Sequence, residues 1–535
     1  MFRILVSDPV AREGLALLNG RAEVDVRPGL NKGDLLRIIG DYDGLIVRSE
    51  TKVTADVIQA ARRLQVIGRA GVGVDNIDLE AATRGGIAVV NAPTGNTVAA
   101  AEHTMALILA LARHIPQANA SLREGRWQRS AYLGIELQNR VLGIVGLGRV
   151  GSEVARRAAA FSMRLLAYDP FVAPEYARRM GVELVTLDRL VEQSDFITLH
   201  TPLSEATRGL IGDRELARMK AGARVVNVAR GGLVDEGALL KALEEGKVGG
   251  AALDVFAQEP PGDAPLLRHP RVVATPHLGA STQEAQQEVA REVAQEVLAV
   301  LEGRPARSTV NLPFLPPEAH AVVGPYLSTA RLLGTVATQL CEGQFVSLTL
   351  RYSGELATHD TSLVRAAALV GLLTSIVEER LNLVNVGVVA AQRRLKVVEE
   401  KDPSPEPYGS LIALEVQTTT GPTVVSGTLL REEPHILRIN DQWLDLVPSS
   451  PYLLMIDHED RPGMIGALGT ITGEHDINIA FMAVGRQAPR GKAIMVVGLD
   501  DPAPEGVMQR IRAIPHIYSA KLVKLAPVGN GARGQ

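Results

Sequence analysis

Residues 140–169 contain the feature that most restricts how this chain can fold. An apolar run at residues 141–145 has the length of a buried parallel strand and leads directly into a glycine turn, GLGRVG, at residues 146–151. A helical pattern follows, and a second apolar run then ends at Asp169. A strand, glycine turn, helix, strand and acid within about 30 residues predict a doubly wound α/β unit that binds a dinucleotide.

Each glycine of the turn has its own physical role. Gly146 permits the tight turn, Gly148 lets the backbone approach a pyrophosphate, and Gly151 lets the helix pack closely on the strand. The helix N-terminus offers free N–H groups to phosphate, and Arg149 lies beside it. Asp169 can accept hydrogen bonds from ribose hydroxyls. Because a carboxylate repels a 2′-phosphate, the pattern predicts NAD rather than NADP.

Composition sets the broad class of protein. A chain of 535 residues has room for three or four domains, and its net charge of −4 favours no nucleic-acid partner. The single cysteine, Cys341, excludes a disulfide framework and a multi-cysteine metal site, so we expect no metal and a cytoplasmic location. The longest apolar helical run, residues 105–112, is too short to cross a membrane, so we expect no membrane partner.

The first 95 residues alternate short strands with helices and predict an α/β unit that lacks a glycine fingerprint. Arg48 and Arg69 each follow a predicted strand, where open α/β sheets bind ligands. Both arginines are candidate anion-binding groups, and a solvated surface charge is the alternative. Residues 97–125 predict one long, buried helix. Within it, His103 is interpreted as a core or interface histidine rather than a catalyst.

Polar groups follow the predicted strands beyond the glycine turn. They are His200, Arg230, Asp254 and His277, with Glu259 in a proline-rich loop. Oxidation of a secondary alcohol by a nicotinamide cofactor requires a base for the hydroxyl proton, which His277 would supply. A carboxylate beside the imidazole, Glu259, would orient it, and Arg230 could bind a substrate carboxylate. Sequence alone leaves open whether these groups meet.

The C-terminal half begins after a proline-rich linker at residues 305–317. Residues 318–450 predict two amphipathic helices followed by strands, without a catalytic set of residues. Residues 452–525 read strand, helix, strand, strand, helix, strand, which is the order of a ferredoxin-like sandwich. Residues 526–535 predict a flexible, glycine-rich tail.

The predicted fold class is α/β, with two doubly wound Rossmann-like domains, then an α+β intervening domain and a ferredoxin-like βαββαβ domain. The helix predicted over residues 283–303 would return the chain to the first unit. The predicted domains are a discontinuous substrate-binding domain (1–96 and 285–308), an NAD-binding domain (97–284), the intervening domain (312–450), the ferredoxin-like domain (452–525) and the tail (526–535).

Six motifs resemble those of one family, the NAD-dependent D-isomer-specific 2-hydroxyacid dehydrogenases. They are RAGVGVDNID (69–78), AAAEHTMALILAL (99–111), GLGRVG (146–151), NVARGGLVDE (227–236), ALDVFAQEPP (252–261) and TPHLGAST (275–282). The C-terminal module, with its DRPGMIG loop and DINIA segment, resembles an ACT regulatory domain. Residues 318–450 resemble the extra domain of the long members of this family, so the resemblance covers nearly the whole chain.

The resemblance implies roles for individual residues. His277 would be the acid/base, Glu259 its partner, and Arg230 the anchor of the substrate carboxylate. The implied NAD-binding residues are Gly146, Gly148, Arg149, Val150, Gly151, Asp169, His200, Thr201, Val228, Ala229, Asp254, Gly279 and Ala280. The implied substrate-binding residues are Arg48, Arg69, Val72, Gly73, Arg230, His277 and, from a neighbouring subunit, Arg129.

The resemblance also implies a reaction and a regulator. The long members oxidise 3-phosphoglycerate to 3-phosphohydroxypyruvate, the first step of serine biosynthesis, and form homodimers or homotetramers. Their ACT domains imply L-serine as an effector bound by His458, Asp460 and Asn478, although this module could serve only for dimerisation. Two other functions remain open: another D-2-hydroxyacid dehydrogenase, such as a 2-oxoglutarate reductase, or an NAD-sensing scaffold akin to the corepressors that share this fold.

Overall fold

The structure is a computed structural model that describes residues 1–304, 306–313, 315–404 and 406–525. The predicted tail, residues 526–535, lies outside the described residues. The described part of the chain contains four β-sheets, which follow one another along the sequence.

The first sheet is parallel, with its strands in the order β2-β1-β3-β4-β5. Its strands read as short, nearly continuous apolar runs because helices cover both faces. The elements are β1 (Phe2–Val6), α1 (Arg12–Leu15), β2 (Ala22–Val26), α2 (Lys32–Ile38), β3 (Gly44–Val47), α3 (Ala55–Ala60), β4 (Val66–Arg69), α4 (Leu79–Arg84) and β5 (Ala88–Asn91).

The second sheet is also parallel, in the order β12-β11-β10-β9-β6-β7-β8. The order reverses between β6 and β9, which places a ligand cleft at the carboxyl ends of these strands. The elements are α5 (Thr97–Arg113), α6 (Ile115–Arg123), β6 (Val141–Val145), α7 (Arg149–Ala160), β7 (Arg164–Tyr168), α8 (Pro174–Arg179), β8 (Glu183–Leu184), α9 (Leu187–Gln193), β9 (Phe196–Leu199), α10 (Asp213–Arg218), β10 (Ala223–Asn227), α11 (Glu236–Glu244), β11 (Val248–Leu253), α12 (Pro265–Arg268), β12 (Val272–Ala274) and α13 (Gln283–Leu301).

Helix α13 leaves the second unit and packs on the first sheet. Its residues Val293 and Val297 are fully buried with the side chains of β1, β3 and β4. A Cβ atom on Gly68 would lie 2.5 Å from Val297, so this glycine lets the helix approach the sheet. The first unit is therefore completed by a helix that follows the second unit in sequence.

The single helix predicted over residues 97–125 is wrong. His114 adopts a left-handed conformation, with φ of 53°, and ends α5. Pro116 lies in the first turn of α6, where its missing N–H group is tolerated, whereas it could not continue α5. The two helices meet at 63°. Among the described residues, no single helix has both the length and the hydropathy of a membrane span, although this bent pair meets those criteria together.

The third sheet is mixed, in the order β14-β13-β15-β16-β17-β18, with β13 and β14 parallel. Helices α15 and α16 pack on one face and form its core. The elements are α14 (Pro317–Val323), α15 (Tyr326–Leu340), β13 (Phe345–Gly354), α16 (Ser362–Leu373), α17 (Val386–Gln392), β14 (Lys396–Asp402), β15 (Ser410–Thr418), β16 (Gly421–Leu430), β17 (Glu433–Ile439) and β18 (Gln442–Leu446).

The fourth sheet is antiparallel, in the order β20-β21-β19-β22, which is the ferredoxin-like arrangement. Side chains of β19 point alternately to two sides of the sheet. Leu454 and Ile456 pack with α18 and α19, whereas Leu453 and Met455 pack with the core of the third sheet. The elements are β19 (Tyr452–Glu459), α18 (Met464–Gly473), β20 (Ile479–Arg486), β21 (Lys492–Leu499), α19 (Glu505–Arg512) and β22 (Ile517–Lys524). The predicted fold class is confirmed.

Candidate active site

The glycine turn joins β6 to the N-terminus of α7. Gly146 has a φ of 92°, and a Cβ atom there would lie 2.7 Å from the carbonyl oxygen of His200. A Cβ atom on Gly151 would collide with the carbonyl oxygen of Gly146. Gly148 has open space on its Cβ side, so a phosphate can approach its backbone. The geometry matches the role assigned to each glycine on physical grounds.

Asp169 lies beside this turn. Its Oδ2 accepts a hydrogen bond from the Leu147 amide at 2.8 Å, and its Oδ1 accepts one from the Phe171 amide at 2.9 Å. A carboxylate has about four acceptor positions, so two remain for ribose hydroxyls. The Oγ1 of Thr201, next to the turn, is buried without a hydrogen-bond partner among the described residues. An acid with spare acceptors and an unpaired hydroxyl group fit a dinucleotide.

His200 also follows a strand, but it is not placed to act as an acid or base. Burial lowers the pKa of His200 to about 3, so the imidazole is neutral at physiological pH. Its Nε2 lies 3.0 Å from the Oγ1 of Thr198. Its predicted contact with NAD would therefore be that of a neutral ring.

His277 and Glu259 meet, as their predicted roles require. The Nδ1 of His277 lies 2.8 Å from the Oε2 of Glu259, and the Oε1 of Glu259 accepts a hydrogen bond from the Phe256 amide at 3.1 Å. Both side chains are partly exposed, so a substrate can reach them. With Nδ1 engaged by the carboxylate, Nε2 of His277 is the nitrogen available for proton transfer.

The backbone of His277 is held in an uncommon conformation by Asp254. His277 has a φ of 55°, and its amide donates to the carbonyl oxygens of Asp254 and Thr275 at 2.9 and 3.1 Å. The Asp254 carboxylate is fully buried and accepts from the amides of Leu278 and Gly279 at 2.7 and 2.8 Å. It also accepts from the Thr275 hydroxyl at 2.6 Å. Asp254 thus holds the turn that carries His277.

Burial alone would raise the pKa of the Asp254 carboxyl. Hydrogen bonds from His103, Thr275 and the two backbone amides outweigh that effect, so its pKa lies below the ordinary value and the group is an anion. His103, which the sequence did not mark as functional, contacts Asp254 at 3.3 Å.

Three arginines come together around the loop that follows β4. Burial, and then the positive charges of Arg230 and Arg48, lower the pKa of Arg69 to about 10. Cβ atoms on Gly71 and Gly73 would collide with the guanidinium groups of Arg69 and Arg230, so glycine makes room for them. The predicted substrate-binding residues Arg48, Arg69, Arg230 and Gly73 therefore form one positively charged site, here called the arginine cluster.

Two polar residues that sequence reasoning missed hold Arg48 in place. The buried carboxylate of Asp8 accepts hydrogen bonds from the amides of Arg48 and Thr51 at 2.6 and 3.1 Å. The Nδ2 of Asn76 donates to the carbonyl oxygens of the same two residues at 2.8 and 2.7 Å. The position of Asp8 two residues after the end of β1 was a signal that could have revealed it.

Asn227 shapes the loop that carries Arg230. Its Nδ2 donates to the Arg230 carbonyl at 2.8 Å, and its Oδ1 accepts from the Ala229 amide at 3.1 Å. The remaining predicted residues lie around this edge. Val150 lies in α7, Val228 and Ala229 follow β10, Ala280 follows the His277 turn, and the Val72 carbonyl accepts from Asn91.

Arg129 lies apart from the arginine cluster in the contacts of one chain. It belongs to the 3-10 turn Arg129–Tyr132, and it forms no ion pair within the described residues. The neighbouring Trp127 and Leu133 are 77% and 85% exposed. This segment, residues 126–133, is here called the arm.

The three candidate effector residues have different surroundings. The Oδ2 of Asp460 pairs with Arg486 at 2.7 Å, and the Nδ2 of Asn478 donates to Asp500 at 2.6 Å. His458 is buried, and its Nε2 has no hydrogen-bond partner among the described residues. Within one chain, the structure does not bring these residues into contact with one another.

A Rossmann domain with this glycine turn, followed by an arginine, a glutamate and a histidine at the strand ends, defines an NAD-dependent dehydrogenase of 2-hydroxy acids. The family model described as D-isomer specific 2-hydroxyacid dehydrogenase, NAD binding domain, matches residues 105–279. The models for the D-3-phosphoglycerate dehydrogenase intervening domain and the ACT domain match residues 322–440 and 452–516.

The chain is 47% identical to a D-3-phosphoglycerate dehydrogenase of Synechocystis, over 98% of this chain and 95% of that one. It is 46% identical to the protein of that name from Methanocaldococcus jannaschii, over 98% of this chain and all of that one. The chain belongs to the D-3-phosphoglycerate dehydrogenase family, and the resemblance found in the sequence is confirmed.

Solved structures match the catalytic half. The TT0316 protein of Thermus thermophilus is 39% identical with a TM-score of 0.54, covering 58% of this chain and 99% of that one. A D-lactate dehydrogenase of Aquifex aeolicus, solved with NAD and lactic acid, is 29% identical with a TM-score of 0.51, covering 56% of this chain and 96% of that one. The chain is an NAD-dependent dehydrogenase, so the scaffold interpretation is set aside.

Proposed function

We propose that the chain oxidises 3-phosphoglycerate to 3-phosphohydroxypyruvate with NAD, the first step of serine biosynthesis. The observation that carries this proposal is the arginine cluster, where Arg69 and Arg230 pack against glycines of one loop and Asn76 of the same loop holds Arg48. The substrate is a short acid with an anionic group at each end. A site that gathers three guanidinium groups matches a phosphate and a carboxylate on one small molecule better than a single carboxylate.

Different arginines bind the two anionic groups of the substrate. Arg230 follows β10 on the NAD-binding sheet, so it binds the carboxylate next to the reacting carbon. On the other sheet, Arg48 follows β3 and Arg69 is the last residue of β4, and both bind the phosphate. The substrate thus spans the cleft between the two units, and its binding favours closure of that cleft.

Oxidation removes a hydride and a proton from the hydroxyl-bearing carbon. When bound, NAD accepts the hydride. The Nε2 of His277 takes the hydroxyl proton, and Glu259, at 2.8 Å from Nδ1, stabilises the imidazolium that results. In the reverse direction the same imidazolium returns the proton to the carbonyl oxygen of the keto acid.

The proposal is tested by oxidation of NADH with 3-phosphohydroxypyruvate and, in parallel, with 2-oxoglutarate. We expect the phosphorylated substrate to give the larger kcat/KM. Replacing His277→Ala is expected to lower kcat at saturating substrate by about 10²–10⁴-fold, the usual contribution of general acid–base catalysis. Near wild-type turnover of His277→Ala would contradict the proton-transfer role, and equal kcat/KM for both substrates would contradict the proposed substrate.

A different D-2-hydroxy acid is the second candidate substrate. A glyoxylate reductase from Paecilomyes thermophila is 32% identical, covering 58% of this chain and 98% of that one, with a TM-score of 0.53. The catalytic half is thus shared with an enzyme named for an unphosphorylated acid. A preference for 2-oxoglutarate in the same assay would favour this candidate.

The active form is a homodimer or homotetramer in which the arm contacts a second copy. Trp127 and Leu133 are large apolar side chains with most of their surface exposed, which is typical of residues that become buried on association. Arg129 would then add its charge to the neighbour's arginine cluster. We expect light scattering to give a multiple of the 57.1 kDa chain mass and Trp127→Ala to shift the equilibrium toward monomer. A monomeric wild-type chain would contradict this assembly.

L-Serine acts as an effector at paired ACT modules. Asp460 follows the C-terminal end of β19, and its amide donates to Gly491 at one end of the sheet. Asn478 precedes β20, and the Asp500 amide donates to its carbonyl at the opposite end. Strands of eight residues separate the two ends by about 25 Å, so one serine can contact both residues only between two chains.

The cytoplasm is the proposed location. The thiol of the single cysteine, Cys341, has its pKa raised by burial and forms no disulfide in the described chain. A reducing compartment suits a chain that uses no disulfide for stability.

A further inference from the structure

His103 lies in α5 and faces the ends of β11 and β12. Its Nε2 is 3.1 Å from the Oγ1 of Thr275 and 3.3 Å from the Oδ1 of Asp254. The Thr275 hydroxyl donates its hydrogen to the same Asp254 oxygen at 2.6 Å. The oxygen of Thr275 can therefore only accept from His103, which requires a hydrogen on Nε2.

We propose that His103 is a positioning residue for the acid/base histidine, because its Nε2–H group, acting with Thr275, fixes the Asp254 carboxylate that holds the turn carrying His277. The inference rests on the proposed role of His277. His103 is not placed against the reacting atoms, so it acts through Asp254 rather than on the substrate.

The turn needs this support because its backbone is unfavourable. A φ of 55° is rare for a residue other than glycine and persists only where the surroundings hold it. Both amides that follow His277, those of Leu278 and Gly279, donate to Asp254. These two hydrogen bonds are strongest when the carboxylate is an anion, because both of its oxygens then accept from the amides.

The anion is costly because Asp254 is fully buried. The hydrogen bonds from His103, Thr275 and the two backbone amides offset that cost. Of these described donors to Asp254, His103 is the one with a titratable side chain. His277 follows on the same turn and is paired with Glu259. Loss of the His103 donor would raise the pKa of Asp254 and favour its protonated form, which cannot accept from both amides as well.

Two substitutions separate the hydrogen bond from the volume of the ring. His103→Leu keeps much of the volume and removes the donor, whereas His103→Gln retains an N–H donor. We expect His103→Leu to lower kcat by about ten- to a hundredfold, the scale of a small misplacement of a catalytic group, with a smaller change in KM. We expect the acid limb of the kcat–pH profile to move to higher pH, and His103→Gln to recover most of the loss.

Binding of NADH, followed by its fluorescence, is the second measurement. We expect His103→Gln to bind NADH nearly as the wild type does, and any loss of NADH affinity in His103→Leu to be smaller than its loss of kcat. A kcat and pH profile unchanged in His103→Leu would overturn the inference, as would equal losses in the leucine and glutamine variants. A loss of NADH affinity that accounts for the whole effect would also overturn it, because His103 would then act on the cofactor site.

A second pair of variants covers the case in which His103→Leu does not fold. Thr275→Val removes the hydroxyl that connects His103 to Asp254, and Thr275→Ser keeps it. We expect the valine variant alone to show the shifted acid limb, and the same profile in both variants would overturn the inference. Failure of the proposed function is distinguishable, because it would appear as an inactive wild-type enzyme or an active His277→Ala variant.

Discussion

An exposed carboxylate, Asp75, pairs with the arginine that is proposed to bind the substrate carboxylate. The Nε of Arg230 lies 3.3 Å from the Oδ2 of Asp75, whose side chain is 73% exposed. This carboxylate lies on the guanidinium group proposed to bind the substrate carboxylate. An exposed pair of this kind contributes about 1 kcal/mol or less, so a substrate can displace it.

Replacing Asp75→Asn is therefore expected to lower KM for 3-phosphohydroxypyruvate, by up to about fivefold, and to leave kcat nearly unchanged. The reason is that the substrate carboxylate would no longer have to displace the Asp75 carboxylate from Arg230. Steady-state kinetics measures the effect, with Glu80→Gln as the control because that exposed residue pairs with Arg84 away from the cluster. A higher KM in Asp75→Asn would mean that Asp75 organises Arg230 for binding rather than competing for it.

Two elements cross between the two catalytic units, and the proposed closure of the cleft would bend both of them. Thr94 and Gly95 lead from β5 into α5, and both are held by Glu292 of α13, the second crossing element. Glu292 accepts from the Thr94 amide, the Gly95 amide and the Thr94 hydroxyl at 3.2, 3.1 and 3.0 Å. The two connecting segments are thus hydrogen-bonded to each other, and closure of the cleft would strain these hydrogen bonds.

We expect Glu292→Ala to weaken the contact between the two connecting segments. A buried hydrogen bond to a charged group contributes about 1.5–3 kcal/mol, and an exposed one, as here, contributes less. Amide exchange at residues 94–97 should therefore accelerate by about tenfold. Hydrogen exchange measures this local effect, and kcat/KM should fall with it. Glu288→Ala is the matched control, because Glu288 lies on the same helix and pairs only with Arg291 among its described contacts. Equal exchange in the two variants would contradict the prediction.

At the scale of the whole molecule, the C-terminal units are joined to the catalytic half by specific contacts. The Nδ2 of Asn382 donates to the Gly86 carbonyl at 2.6 Å, and the linker residue Asn311 donates to the Ile87 carbonyl at 2.9 Å. Both contacts lie at the turn between α4 and β5. The intervening domain and the linker thus contact the sheet that leads to Arg48 and Arg69.

Complementation between chains tests the proposed serine site. We expect serine to inhibit the wild type, and neither Asp460→Ala nor Asn478→Ala alone to respond. Mixed oligomers of the two variants should regain part of the inhibition, because one intact site forms between an Asn478 from one chain and an Asp460 from the other. Inhibition that persists in both single variants would contradict the assignment, and no inhibition of the wild type would leave dimerisation as the module's role.

Much of the fold followed from local patterns in the sequence. Apolar runs of strand length, the glycine turn and the acid at Asp169 are separated by few residues, so their geometry depends on neighbours along the chain. The carboxyl ends of parallel strands share one edge of a sheet, which is why Arg230 and His277 could be assigned to one cleft in advance. The break at His114 was missed because the residues on both sides of it are helical, although Pro116 was a local signal.

The sequence by itself determined the fold class, the cofactor and the chemical types present at the strand ends, since each depends on residue type and short spacing. Only the tertiary structure decided which of these groups cooperate. His103 and Asp254 are 151 positions apart, and Glu292 and Thr94 are 198 apart. Contacts at such separations are set by strand order and helix packing, which bring distant residues together through the burial of apolar side chains over the whole chain.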